Sequence, residues 1–244
     1  MVIAYAKSDI GKAREMNQDA YYISDSLSDV KIYLLADGMG GYKGGEIASK
    51  LAIKCTKSYI ENNFKETPKD RESLIQLIAS SMEYANMVVY EKSKEDKELE
   101  GMGTTLEVCL IYNNKAYIGH IGDSRIYRIR KDFIRKLTQD HSYVQKLVKD
   151  GTITKEEAEN HPKKNMLMKA LGCNAFVEPD VCVKGFLRDD ILLMTSDGLT
   201  NMVNDEEILK IINEDIEKAS EKLVEKANEA GGLDNITVVI VNCC

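Results

Sequence analysis

The chain contains no tryptophan and only three histidines among 244 residues, and its twelve tyrosines are scattered rather than set among basic residues. No block of lysine and arginine stands clear of nearby acids. With 40 acidic against 33 basic residues, the formal charge is −7, so a nucleic-acid partner is not expected. Six cysteines (Cys55, Cys109, Cys173, Cys182, Cys243, Cys244) form no CxxC pair and no regular spacing, a pattern that fits reduced thiols in the cytoplasm. No apolar run reaches membrane length, and residues 1–7 are too short for a signal peptide. No linker-like stretch and no internal repeat divides the chain. A single domain over residues 1–244 is therefore expected, with 43% hydrophobic residues supplying its core.

What is present is a long series of alternating patterns. Residues 2–7, 20–24 and 30–36 read as short strands. A glycine-rich segment, 38–45, leads into helical spacing over 46–64, and Pro68 separates this from a second helix over 71–92. Residues 104–112 and 115–121 form a hairpin around Asn113-Asn114, and 124–130 with 133–137 form another around Lys131-Asp132. Consecutive hairpins imply antiparallel sheet rather than a doubly wound fold. Residues 141–171 then turn helical and polar, interrupting the strands as an insertion over a sheet edge or cleft. Strands resume at 181–186 and 191–195, helices follow over 205–212 and 215–230, and 236–241 suits a buried last strand. The expected class is α+β, a sandwich of about ten antiparallel strands with two helical stretches early and two late.

Four polar clusters each follow or border a predicted strand: Asp37-Gly38-Met39-Gly40-Gly41, Gly122-Asp123-Ser124-Arg125, Ser196-Asp197-Gly198 and Gly232-Leu233-Asp234-Asn235. Asp beside Gly at a strand end also has a reading as turn chemistry. Several such turns at the exits of apolar strands are harder to explain that way, because strand ends on one sheet edge can gather distant carboxylates. Gathered carboxylates repel in a low-dielectric site unless cations sit among them. No cluster contains Cys, and none has His beside its Asp, so oxygen-favouring Mg²⁺ or Mn²⁺ is expected rather than zinc. With Asp19, five carboxylates carry −5, which two divalent ions at +4 nearly balance. Two such ions about 4 Å apart can activate a water for in-line attack on phosphorus.

In order along the chain, Arg14-Glu15-Met16-Asn17-Gln18-Asp19, the Asp37 cluster, Gly101-Met102-Gly103-Thr104-Thr105, the Asp123 cluster, Ser196-Asp197-Gly198-Leu199 and Asp234-Asn235 resemble the protein phosphatase 2C family, above all its compact bacterial members. The resemblance spans essentially the whole chain. It implies an α-β-β-α sandwich of two antiparallel sheets flanked by helices, with residues 141–171 as a flap beside the active site. The activity it implies is metal-dependent hydrolysis of phosphoserine and phosphothreonine in proteins, with two or three Mn²⁺ or Mg²⁺ ions, in a monomer that opposes a bacterial Ser/Thr kinase. By resemblance Asp37 bridges two ions, with the Gly38 carbonyl on the first. Asp197 and Asp234 complete the second, Asp123 with Asp197 holds a third, and Asp19 orders water. Arg14 matches the phosphate-binding arginine, and a guanidinium can grip two phosphate oxygens in a fork. Arg125 reads as a structural ion pair, and Asn235 as a hydrogen-bonding support for Asp234. Many relatives carry a His general acid where Met39 stands, and some place one near Tyr42, so the proton donor is unassigned. His141, His161 and metal-bound water are candidates for it, while His120 reads as structural.

Three rival readings fit less of the chain. Cys182 to Arg188 matches Cys-x₅-Arg, but Cys182 lies in a strand pattern with no helix after it. Residues 38–45 match neither GxGxxG nor GxxxxGK[ST], and a nucleotide loop would leave the later aspartates unexplained. A catalytically dead scaffold would not need every metal-site aspartate.

Overall fold

Along the strand Lys31–Met39, successive apolar side chains enter two different hydrophobic clusters. Ile32, Leu34 and Ala36 pack on one side, and Tyr33 and Leu35 on the other. The last strand does the same, with Val238 and Ile240 on one face and Val239 and Val241 on the other. Strands buried on both faces read as continuous apolar runs, and they need a layer on each side. That requirement builds the molecule. The computed structural model describes residues 2–243; Met1, Cys244 and the side chain of Tyr42 lie outside the described residues.

The elements run β1 (Val2–Asp9), β2 (Asp19–Ile23), β3 (Lys31–Met39), α1 (Gly41–Phe64) and α2 (Arg71–Glu95). After a 3₁₀ turn at Lys97–Leu99 come β4 (Gly103–Thr104), β5 (Leu106–Tyr112), β6 (Lys115–Ile121), β7 (Arg125–Arg130) and β8 (Phe133–Lys136). Then follow α3 (Tyr143–Lys149), α4 (Lys155–Glu159), β9 (Asp180–Gly185), β10 (Ile191–Thr195), α5 (Asp197–Thr200), α6 (Asp205–Glu214), α7 (Ile216–Glu229) and β11 (Ile236–Cys243).

Two antiparallel sheets form, one in the order β1-β11-β10-β7-β8 and the other β2-β3-β5-β6-β9, with β4 on β3. Between them lies a core that includes Tyr33, Leu35, Cys109, Ile118, Met194 and Val239. Helices α1 and α2 cover the outer face of the second sheet through Ala48, Ala52, Ile78 and Met82. Helices α6 and α7 cover the first through Ile208, Ile212, Leu223 and Val224. Each of the larger side chains among these, such as Ile78, Met82 and Leu223, contributes roughly 1.5–3 kcal/mol by leaving water. The architecture is the α-β-β-α sandwich that the resemblance implies.

Local structure departs from the sequence reading in three places. Helix α1 begins at Gly41 rather than at 46, despite the poor helix propensity of Gly44 and Gly45. The reason is contact: a Cβ on Gly45 would stand 2.7 Å from the Gly38 carbonyl carbon and from the Gln18 side chain. Only glycine lets the first turn of the helix rest on the end of β3. Residues 141–171 contain only two short helices, α3 and α4, the rest being turn and coil. Gly151, at φ +71°, ends the first, and α4 buries no side chain, so nothing sustains a longer helix there. Finally, a short helical turn, α5, follows β10 directly where no helix was expected.

Candidate active site

The register of the sheets gathers the carboxylates. Asp19 opens β2 and pairs directly with Asp37 near the end of β3. Asp123 occupies the tight turn between β6 and β7, Asp197 follows the end of β10, and Asp234 stands two residues before the start of β11. Both sheets thus present these strand ends at one edge. There a cleft of about 440 Å³ is lined by Arg14, Asp37, Gly38, Asp123, Asp197 and Asp234, among others. Asp19 is not on the cleft wall. It lies buried behind Asp37, where its Oδ2 accepts from Ser196 Oγ at 2.8 Å and its Oδ1 has no hydrogen-bond partner.

Close backbone approach fixes the floor. A Cβ on Gly38 would stand 2.1 Å from the Gly45 carbonyl oxygen and 2.6 Å from that of Gln18. The Asp37 main chain is pinned at both groups. Its N–H donates to Thr105 Oγ1 at 2.9 Å, and its carbonyl accepts from Thr105 N–H and Thr104 Oγ1, each at 2.9 Å.

Burial raises the pKa of these groups, and the neighbouring carboxylates raise it further. Asp19 and Asp197 move up to about 6, Asp123 to about 7, and Asp37 well above the ordinary carboxylate range. A cluster of this kind calls for positive charge. The donor set is all oxygen, one buried carboxylate oxygen is unpartnered, and the groups surround an open space. These features fit hard divalent cations. Among the described residues no three His, Cys, Asp or Glu side chains close on a single ion position, so the carboxylates line the cleft rather than form one finished shell.

Arg14 reaches into the same cleft, its Nη2 donating to Asp234 Oδ2 at 2.7 Å, with both side chains partly exposed. The loop that carries it is stapled by Asn235. That side chain accepts from Gln18 N–H at 2.8 Å and donates to the Ile10 and Met16 carbonyls at 2.9 and 3.0 Å. The expectation that Asn235 supports Asp234 is thus refined: its backbone N–H reaches Asp234 Oδ1, while its amide holds the Arg14 loop.

Arg125 forms the expected ion pair. Its Nε and Nη2 grip Asp140, with Nη2 at 2.7 Å, and Lys136 adds a third donor to the same carboxylate. Neither candidate proton donor lines the cleft. His141 stacks on His120 with ring centroids 4.5 Å apart, and its Nδ1 accepts from Gly122 N–H. Its Nε2 stands 3.2 Å from Asp180 without hydrogen-bonding geometry. Burial lowers its pKa, the wrong direction for an acid. His161 accepts from Lys163 N–H, and its ring lies beside that of Tyr143. His120 is structural: it is buried and bonded to buried Glu107, whose pKa burial pushes up to about 7. Cys182 lies inside β9 with its thiol pKa raised by burial, which rules out the Cys-x₅-Arg loop.

Thr105 and Asn165 also line the cleft, and the sequence reading assigned neither a role. Thr105 stands within the Gly101–Thr105 motif, and its place at the head of the apolar strand β5 was a usable signal. Asn165 had none, since its place depends on how residues 141–171 fold back.

The profile of the family described as "Protein phosphatase 2C" matches residues 11–231. A serine/threonine phosphatase of Listeria innocua is 40% identical over 239 residues, covering 96% of this chain and 93% of that protein. A Streptococcus agalactiae serine/threonine phosphatase structure superposes with a TM-score of 0.92 at 35% identity, covering all of both chains. The catalytic domain of the serine threonine protein phosphatase PstP, in a structure with two manganese ions, gives a TM-score of 0.86 at 34% identity, covering 99% of this chain and 97% of that one.

Proposed function

The chain belongs to the protein phosphatase 2C family, and from that premise we propose how its cleft carries out the reaction. The protein is a metal-dependent protein serine/threonine phosphatase that uses Mn²⁺ or Mg²⁺. The observation that carries the site assignment is the group of half-buried carboxylates around one open cleft, with Arg14 the one cation among the residues that line it. Asp37 would bridge two ions, with the Gly38 carbonyl on the first. Asp197 and Asp234 would complete the second, and Asp123 with Asp197 would hold a third. When bound, the ions offset the carboxylate charge and activate water for in-line attack on phosphorus. Asp19, buried behind Asp37, orders water on that side of the cleft. Arg14 presents a planar pair of donors at the cleft, suited to two oxygens of the substrate phosphate.

Residues 141–171 act as a flap over the site, within a single catalytic domain spanning 1–244. This reading draws on Asn165 and Leu167 at the cleft wall, on the bridge from Ser142 to Leu167, which folds the segment back on itself, and on that from Thr104 to Leu171, which ties its base to the sheet. The substrates are phosphorylated proteins, so the reaction that supplies them is serine/threonine phosphorylation, and the enzyme opposes a bacterial Ser/Thr kinase. A cytoplasmic monomer fits the thiols of Cys55, Cys109, Cys173 and Cys182, none of them in a disulfide, and the most exposed apolar residues, Leu27, Phe133 and Phe176, which lie on separate segments. Among the described residues no helix is long and apolar enough to cross a membrane.

The test is turnover of a phosphothreonine peptide by purified protein after chelation, then with Mn²⁺, then after thiol alkylation. Activity should vanish, return and survive alkylation. Activity that persists through chelation and is lost on alkylation would overturn the assignment.

A further inference from the structure

Thr105 joins the two parts of the cleft that the fold otherwise builds separately. Asp37 comes from the end of β3, and Asp123 from the turn between β6 and β7. Thr105 fills the one-residue break between β4 and β5, is 2% exposed, and touches both parts. Toward β3, its Oγ1 accepts the Asp37 N–H at 2.9 Å, and its own N–H donates to the Asp37 carbonyl at 2.9 Å. Toward the turn, the same Oγ1 is 2.8 Å from Ser124 Oγ, which is itself fully buried. Its methyl group lies against Gly122: a Cβ there would stand 2.5 Å from Thr105 Cγ2, and Gly122 takes φ +114°. The Thr105 side chain therefore contacts the residue before Asp123 and the residue after it, while holding the backbone of Asp37.

We propose that Thr105 is a positioning residue for the hydrolysis, its hydroxyl setting the distance between Asp37 and Asp123. The proposal rests on the assignment of those two aspartates to the ion cage. The physical need is plain, since two buried carboxylates repel and a hydrogen-bonded tie between their supports resists their separation. A hydroxyl on a β-branched side chain serves both contacts at once. Valine would keep the shape but leave the Asp37 N–H without its acceptor, and serine would keep the tie but lose the methyl contact with Gly122. The tie acts through the backbone, since the Thr105 hydroxyl is already engaged with the Asp37 N–H and with Ser124. Its signature is thus metal affinity and turnover together, with no need for a change in substrate binding.

The experiment compares Thr105→Val, Thr105→Ser and Ser124→Ala by Mn²⁺ calorimetry, by kcat and KM on a phosphothreonine peptide, and by melting of the chelated protein. Thr105→Val should weaken the lower-affinity Mn²⁺ binding and lower kcat, each by roughly 10–100-fold, the range for losing a group that orients a metal ligand. KM for the peptide should stay near the wild-type value, and Thr105→Ser should recover most of both losses. An unchanged isotherm and kcat in Thr105→Val, whether or not melting falls, would overturn the proposal, as would a Thr105→Ser loss equal to that of valine. If Thr105→Val does not fold, Ser124→Ala decides by the same isotherm: weakened binding supports the tie and wild-type binding overturns it. Wild-type turnover that ignored Mn²⁺ would instead overturn the phosphatase assignment, whatever Thr105 did.

Discussion

Two sets of aspartates with restricted access to water meet opposite electrostatic fates in this protein. Burial pushes Asp140 and Asp190 toward the neutral form, but each faces an arginine fork that more than reverses the effect. Asp140 ends below the ordinary carboxylate range beside Arg125 and Lys136, and Asp190 does so beside Arg130. Asp19, Asp37, Asp123 and Asp197 are similarly withdrawn from water but face mostly one another, and all four move up. The first set is a finished structural arrangement. The second is incomplete without positive charge, and the difference locates the reaction more sharply than burial alone.

The largest effect that tests this contrast is Asp37→Asn. Losing the ligand proposed to bridge the two ions should lower kcat by several orders of magnitude, while the chelated protein melts no lower than wild type because a charge held away from water has gone. A variant that melts much lower would make Asp37 a folding residue like Asp140. Asp123→Asn should be milder, with turnover down roughly 10–100-fold, comparable to loss of an orienting partner. Anomalous diffraction should still find two ions in that variant, since Asp37, Asp197 and Asp234 remain; finding none would place Asp123 in the central cage. Asp140→Asn should do the reverse of Asp37→Asn. Removing one partner of a mostly buried pair leaves the Arg125 guanidinium unmatched, at a cost of roughly 3 kcal/mol in denaturant unfolding with Mn²⁺ stoichiometry intact. Stability loss below 1 kcal/mol would mean that water already screens the pair.

The smallest effect lies in the pH dependence of the chelated protein. Asp19, Asp123 and Asp197 hold protons more tightly when folded than the ordinary value of 3.8, with folded pKa values of about 6 to 7. The folded state therefore binds more protons across that window, and stability falls as pH rises from about 4 to about 7. Asp140 and Asp190 have lowered pKa values, so their contribution is lost only as pH falls below 4. Melting curves from pH 4 to 8 should decline without metal, and Mn²⁺ should restore more stability at pH 7.5 than at pH 5. A flat profile without metal would remove the electrostatic contrast between the two sets.

Much of this was legible because the chemistry stands at strand ends. The strands 115–121 and 191–195 were read with their observed limits, and each is followed by Gly-Asp or Ser-Asp, so Asp123 and Asp197 could be singled out before any topology was known. What could not be read was register. Nothing local says that Asp19 pairs with Asp37, or that the Asn235 amide reaches residues more than 200 positions earlier. Asp140 was missed for the same reason: it ends a polar segment and has meaning only once Arg125 lies beside it. Residues 141–171 looked helical because their pattern was amphipathic over short spans. In α4 those spans found no core to pack on.

The place of β11 bears on the timing of synthesis. Its partners, β1 and β10, are both translated before it, yet it lies between them in the sheet, with Val2 opposite Cys243. A growing chain that has made the Asp19, Asp37, Asp123 and Asp197 strand ends still has a gap at the middle of its first sheet and lacks Asp234. Closing that gap joins the two extremes of the described chain, a slow non-local event compared with forming the β5–β6 hairpin. Asp234 therefore takes its place at the cleft only as β11 docks, so closing that sheet and completing the carboxylate cluster are one step.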